Sequence, residues 1–386
     1  MLKMLKGKKK CILGVIGVAI LSVFLTLAGL ALLLNLNLQK TVDLMRFFAT
    51  KRFIESQYVN PVDDGKLMDG AISGMVKSLG DPHSIYLDPS MYRKLQDHTS
   101  GSFGGIGVVM GFKDQKVTVM SVMDGTPGQE AGLQPGDEIV AVDGVLSKDI
   151  EPEEVAMRIR GEIGTNVVLR IHRQGEDDQD YTIQRSSIHL QTAAEQMLPD
   201  GIGYIRIASF SEKTGQEFKD CLGRLEGQDM KGLIIDLRGN PGGLINSCVE
   251  IANMVVPKGP IVSVVQRDGT REEHDSKLEA SKYPIVVLID GNSASASEIL
   301  AGALQDTQAA TLVGTKSYGK GSVQVVIPMN ENDALKLTIA KYYTPSGRSI
   351  DGTGIEPDVK VDMDPSAQKD VQLLKAIDVM KEKIAQ

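Results

Sequence analysis

Three short runs, residues 232–237, 284–289 and 310–313, are apolar along almost their whole length. A strand with one wet face alternates apolar and polar residues. A strand without alternation has to be covered on both sides. Between the first two runs, Leu244, Cys248, Ile251, Ala252 and Val255 recur at helical spacing, and residues 298–305 read as a helix between the second and third. Buried strands alternating with helices predict an α/β core over 188–363. Val323, Val325 and Ile327, then Leu335, Leu337 and Ile339, alternate as added hairpin strands. The last residues, 364–386, include an amphipathic helix whose docking face the pattern does not specify.

The core is one part of a multidomain α/β and α+β chain of 386 residues. Residues 37–95 are predicted helical, with an apolar stripe at Leu44, Phe47, Phe48, Phe53 and Ile54 and a second at Leu67, Ala71, Met75 and Leu79. Residues 96–187 read as a small β-rich module of short strands, glycine turns and one helix near 153–159. The N-terminus is different again. Five Lys in the first ten residues precede 24 uncharged residues, Cys11 to Leu34, long enough to cross a ~30 Å hydrocarbon layer. No small-residue cleavage site closes the run. We therefore expect residues 1–36 to be a basic cytoplasmic tip and an uncleaved transmembrane signal anchor of a bacterial cell-membrane protein, with everything after it outside the cytoplasm.

Net charge is −8 overall, and the 376 residues after the Lys-rich tip carry −13. Phosphate backbones require Lys and Arg, so a nucleic acid is not the expected partner. Cysteine chemistry is also not expected: Cys11 lies in the anchor run, and although Cys221 and Cys248 could pair, Cys248 falls in an apolar helical pattern.

Two glycine loops imitate nucleotide sites without matching them. Gly105-Ile-Gly107-Val108 leads into a strand, not a helix N-terminus, so it lacks the receptor for a pyrophosphate. It suits instead a loop whose amides grip a peptide carboxylate while the peptide adds to a sheet edge. In the run 314–321, Lys320 is followed by Gly321, where a phosphate loop needs Ser or Thr for magnesium. No cofactor and no metal are implied.

Ser293, Ser295 and Ser297 lie between a strand and a helix, and Ser295 with Glu298 spells a capping box. The same position also suits a nucleophile facing free helix amides. A serine needs a base, and none of the five His has the company of a Ser-His-Asp arrangement. A lysine serves if burial lowers its pKa. Lys320, between two glycines, is a candidate, and spacing alone does not separate it from Lys316.

Residues 104–108, 122–139 and Val142-Asp-Gly144 resemble a PDZ domain in its permuted bacterial form. The runs 236–244, 293–299, 301–306, 319–324 and 343–348, with 354–358 and 80–84, resemble the carboxyl-terminal processing peptidases, or tail-specific proteases. The resemblance implies a crotonase-like protease core, with Ser295 as nucleophile, Lys320 as general base and Gln324 as the residue that orients it. It further implies an oxyanion hole from the Gly242 and Ala296 amides, with Arg238 and Asn240 bracing the loop. Gly105, Ile106, Gly107 and Val108 would bind substrate C-termini. Read from its own place at the end of the module's helix, Arg160 is either a surface arginine favoured near a helix C-terminus or a residue that pairs across to the protease core and gates the cleft. The expected function is a membrane-anchored extracytoplasmic serine endopeptidase acting on protein tails, with a homodimer or regulatory partner left open. Two alternatives are a PDZ scaffold or chaperone with an inactive core and an acyl-CoA enzyme.

Overall fold

A computed structural model describes residues 38–386 apart from 114, 115, 364, 365, 367 and 368, together with isolated positions 22, 25, 26 and 29. The expected anchor therefore lies almost wholly outside the described residues. Among those described, no helix is long and apolar enough to cross a membrane. The chain forms two compact units, Met1–Gly80 and Asp81–Gln386.

The first unit holds α1 (Leu38–Gln57) and α2 (Asp64–Lys77). Asp63 caps α2 by accepting the Lys66 N–H, and Lys51 of α1 pairs with both Glu55 and Asp64. Phe48 and Phe53 of the predicted apolar stripe are exposed.

The second unit opens with β1 (Ile85–Leu87) and α3 (Pro89–Ser100), followed by β2 (Ser102–Gly105), β3 (Val108–Lys113), β4 (Lys116–Val122) and the single turn α4 (Pro127–Glu130). Next come β5 (Glu138–Val142), β6 (Val145–Leu146), α5 (Pro152–Ile159), β7 (Asn166–His172), β8 (Gln179–Gln184) and β9 (Ser186–His189). The remainder runs β10 (Ala193–Leu198), β11 (Ile202–Ile207), α6 (Thr214–Glu226), β12 (Gly232–Asp236), α7 (Ile245–Val255), β13 (Gly259–Gln266), β14 (Arg271–Ser276) and β15 (Ile285–Ile289). It closes with α8 (Ala296–Asp306), β16 (Ala310–Gly314), β17 (Ser322–Pro328), β18 (Ala334–Tyr343), β19 (Val359–Lys360) and α9 (Val371–Ile384).

The main sheet has the order β10-β11-β12-β15-β16-β19, parallel except for β10. Its central strands β12, β15 and β16 are almost wholly apolar because both faces are covered. Ile205, Leu233, Ile235 and Val287 pack against α6, α7 and α8, while Ile234, Val286 and Leu288 pack against Ala376, Val379 and Met380 of α9. The unassigned C-terminal helix thus completes the core.

A second sheet joins β1-β18-β13-β14, with β17 paired along β18 from Ala334 to Lys341. Residues 85–87 correct the helical expectation for 37–95. They are a strand because Ile85, Tyr86 and Leu87 pair with Lys336, Leu335 and Ala334, a partner about 250 residues away that no local pattern reveals. The β-rich module has the sheet order β3-β4-β5-β7-β8 around its own core, which includes Val119, Val142, Val155 and Leu169.

Candidate active site

β15 ends at Ile289, and the chain turns sharply before α8 begins at Ala296. Within that turn Ser295 adopts φ 56°, ψ −115°, a strained conformation for a residue with a side chain. The three serines then separate by environment. Ser293 and Ser297 are fully buried, and their hydroxyls donate to the Leu237 and Asn240 carbonyls at 2.8 and 3.0 Å. Ser295 instead lines a cavity of about 530 Å³, together with Lys320, Gln324, Gly242 and Tyr342.

Lys320 reaches this cavity on the loop ahead of β17. Its pKa is lowered, first by burial and then by the nearby Lys336 cation, while Glu298 and Asp81 oppose the shift. Lys316 is spent elsewhere, paired with Glu356 at 3.0 Å. Of the two lysines that spacing left open, Lys320 is the one that lines this cavity.

Glu298 holds both catalytic candidates in register. It is fully buried, and four donors converge on its carboxylate. The Ser295 and Lys320 N–H groups donate to Oε2 at 2.8 and 2.9 Å, and the Ser317 hydroxyl and Gly319 N–H donate to Oε1 at 2.6 and 2.7 Å. Tyr342 adds a second clasp, its buried hydroxyl donating to the carbonyls of Ser295 and Lys320.

Gln324 lines the same cavity, and among the described residues no hydrogen bond joins it to Lys320. Its amide nitrogen donates to Ser322 Oγ at 2.9 Å and Thr338 Oγ1 at 3.1 Å. The strand register shifts between Val323 and Gln324, and such a bulge re-aims a side chain away from simple alternation. The expected orientation of Lys320 by Gln324 is therefore not made through a direct hydrogen bond.

The expected oxyanion amides are also not both open. The Ala296 N–H, at the first position of α8, has no acceptor among the described residues. The Gly242 N–H instead donates to Asn240 Oδ1 at 2.8 Å. Only glycine fits at 242: φ is 97°, and a Cβ there would lie 2.8 Å from the Ser295 Cβ. Asn240 braces the loop as expected, its own amide donating to the Ile207 carbonyl, and Arg238 is locked between Asp236 and Asp370.

In the β-rich module, Gly105 ends β2, Val108 starts β3, and β3 is the edge of its sheet. Between them Ile106 is buried, and Gly107 turns at φ 76° tightly against Thr126. Arg160, just after α5, stacks 4.1 Å from the Phe103 ring centre and lies 3.9 Å from Asp97. Its partners are therefore on α3 and β2 and not on the main α/β core. The expected pairing of Arg160 with the protease core is not among its contacts in the described residues; Leu95, His98 and Thr99 of α3 line the cavity.

A profile of peptidase family S41 matches residues 201–361, a PDZ domain profile matches 118–173, and that of the activating protease CtpB N-terminal domain matches 35–90. Over 330 residues the chain is 42% identical to the carboxy-terminal-processing protease of Bartonella bacilliformis, covering 83% of this chain and 75% of that protein. The chain belongs to the carboxy-terminal processing proteases of peptidase family S41. Carboxy-terminal processing protease CtpB of Bacillus subtilis is 40% identical over 314 residues, 80% of this chain and 65% of that one. Among solved structures, the photosystem II D1 C-terminal processing protease aligns with a TM-score of 0.50 and 28% identity, over 90% of this chain and 94% of that chain. The protein is a C-terminal processing serine protease with a PDZ domain.

Sequence reasoning did not single out Tyr342 or Lys336 of this protease. Tyr342 adjoins a quoted motif and was within reach. Lys336 sits between Leu335 and Leu337, where alternation reads it as a solvent-facing lysine, yet here that face of β18 is cavity wall.

Proposed function

We propose that Ser295 is the nucleophile and Lys320 the general base of this protease. The observation that carries the assignment is their convergence on one cavity, with both backbones clamped by Glu298 while Ser293 and Ser297 are buried in structural roles. Neutral Lys320 Nζ takes the Ser295 proton as Oγ attacks the scissile carbonyl. The Ala296 amide receives the developing oxyanion, joined by Gly242 once its N–H leaves Asn240. The resulting lysinium protonates the leaving amine. Lys320 then deprotonates the water that releases the acyl group, and Ser295 regains its proton. Gln324 acts on this site through Ser322 and Thr338.

The base must be unprotonated, so activity should rise with pH along an acidic limb whose midpoint lies below that of a free lysine, ~10.4. The shift follows from the burial of Lys320. A pH profile of kcat/KM for the wild type and for His98→Ala checks this, because His98 also lines the cavity. Loss of the limb in His98→Ala would make the histidine the base.

The loop 105–108 and the β3 edge are proposed to hold a substrate's C-terminal tail, and Arg160, through Asp97 on α3, to pass its arrival to the cavity wall. A tail shifts such an equilibrium only if it binds one arrangement better. Arg160→Ala is expected to slow cleavage of tailed proteins severalfold while changing rates on short untailed peptides much less. Equal effects on both would remove Arg160 from the coupling. We further propose that residues 1–36 anchor the protease in the membrane with its catalytic part outside the cytoplasm. Protection of the Lys-rich tip, but not of the catalytic unit, from protease added to intact cells tests that placement.

A further inference from the structure

The active-site cavity carries a second lysine that the reaction as written does not use. Lys336 lines the same cavity as Lys320, and its ammonium makes no hydrogen bond and no ion pair among the described residues. Its neighbour along β18, Lys341, pairs with Asp351 at 3.0 Å, so solitude is not a property of the strand. The other ionisable side chains lining the cavity are His98, Lys320 and Tyr342, with no carboxylate among them, in a protein of net charge −8. Nearby acids are already engaged. Asp81 accepts from the Ser84 hydroxyl and the His83 N–H, and Glu298 has four donors; Asp333 takes the Tyr86 hydroxyl at Oδ2, and its Oδ1 has no hydrogen-bond partner among the described residues, Lys336 included.

A half-buried ammonium without a counter-ion is unfavourable, and burial does push the Lys336 pKa down. An anion brought by the substrate would relieve that penalty. The rest of the wall, including Leu95, Ile245, Ile299, Val323 and Val326, is apolar and suits side chains of an extended peptide.

We propose that Lys336 is a subsite for a carboxylate on the substrate close to the scissile bond. The carboxylate is either the free end of a short leaving segment or an Asp or Glu side chain. This inference rests on the reading that Ser295 is the nucleophile of the cavity.

Peptide pairs that differ by one carboxylate test it: a free-acid C-terminus against its amide, and Glu against Gln at each position flanking the cleaved bond. In the wild type at least one pair is expected to differ about tenfold to a hundredfold in kcat/KM in favour of the acid. The pair that responds tells a chain terminus from a side chain. Lys336→Met keeps the apolar stem and should bring that ratio close to one. Lys336→Arg should retain the ratio and Lys336→Glu invert it. Using ratios within one variant removes any general loss of rate.

A ratio near one for every pair in the wild type overturns the subsite, as does a preference that survives in Lys336→Met. A free-acid preference of the latter kind would belong to the PDZ module. Absence of any Ser295-dependent peptide cleavage would overturn the underlying assignment instead.

Discussion

Replacing either Ser295 or Lys320 by Ala is expected to lower kcat by about a thousandfold or more, and the double variant to fall scarcely further. In the proposed mechanism the two act in one step: without the base the hydroxyl is a weak nucleophile, and without the hydroxyl the base has no proton to take. Neither change should unfold the protein. The conformation of Ser295 is equally strained with Ala in its place, and Glu298 clamps the Ser295 and Lys320 backbone amides, which survive both substitutions. Single-turnover assays with matched circular dichroism check both points. Ser293→Ala and Ser297→Ala serve as contrasts, because those hydroxyls hold the Leu237 and Asn240 carbonyls. Their loss should cost about 1 kcal/mol of stability each and far less activity. Near-normal turnover by Ser295→Ala would place the nucleophile elsewhere.

Glu298→Gln is expected to reduce both activity and stability, by about a hundredfold or more and about 2–4 kcal/mol. An amide offers one acceptor oxygen where the carboxylate offers two. If its nitrogen takes the Oε2 position, it meets the N–H groups of Ser295 and Lys320, which cannot turn away. If it takes the Oε1 position, the Gly319 N–H is stranded; the Ser317 hydroxyl could rotate, although its oxygen already accepts the Ile355 N–H. Either way at least one buried donor is orphaned, and the fastening between the nucleophile and base loops slackens. Denaturant midpoints and kcat measured on one preparation separate the two effects. A variant with wild-type kcat and stability within about 1 kcal/mol would show that Glu298 does not set this geometry.

Local pattern carried much of the architecture. Period and burial marked β12, β15 and β16 as strands covered on both faces, and the glycine-dense loops marked the module that precedes them. The serine triplet and the glycine-flanked lysine were visible as motifs. In the sequence, spacing to Glu298 marked Ser295 as a helix cap, and its role as nucleophile came only from resemblance. In the structure the three differ physically: two hydroxyls are consumed by backbone carbonyls in the core, and one position opens on a cavity.

What the tertiary structure alone decided shares one cause, contact between residues distant in the chain. Residues 85–87 are a strand only because β18 lies beside them. Lys336 is a cavity residue only because β17 and β18 close one wall around it. Lys316 and Lys320 look equivalent by spacing and separate only when Glu356 takes the first and burial claims the second. The Gly242 amide, free in any reading of its motif, is held by an asparagine two residues away in a loop whose shape Ile207 and Arg238 impose. Periodicity reports which face of an element is apolar. What stands opposite that face, and so which lysine loses its water, is set only when the sheets close on each other.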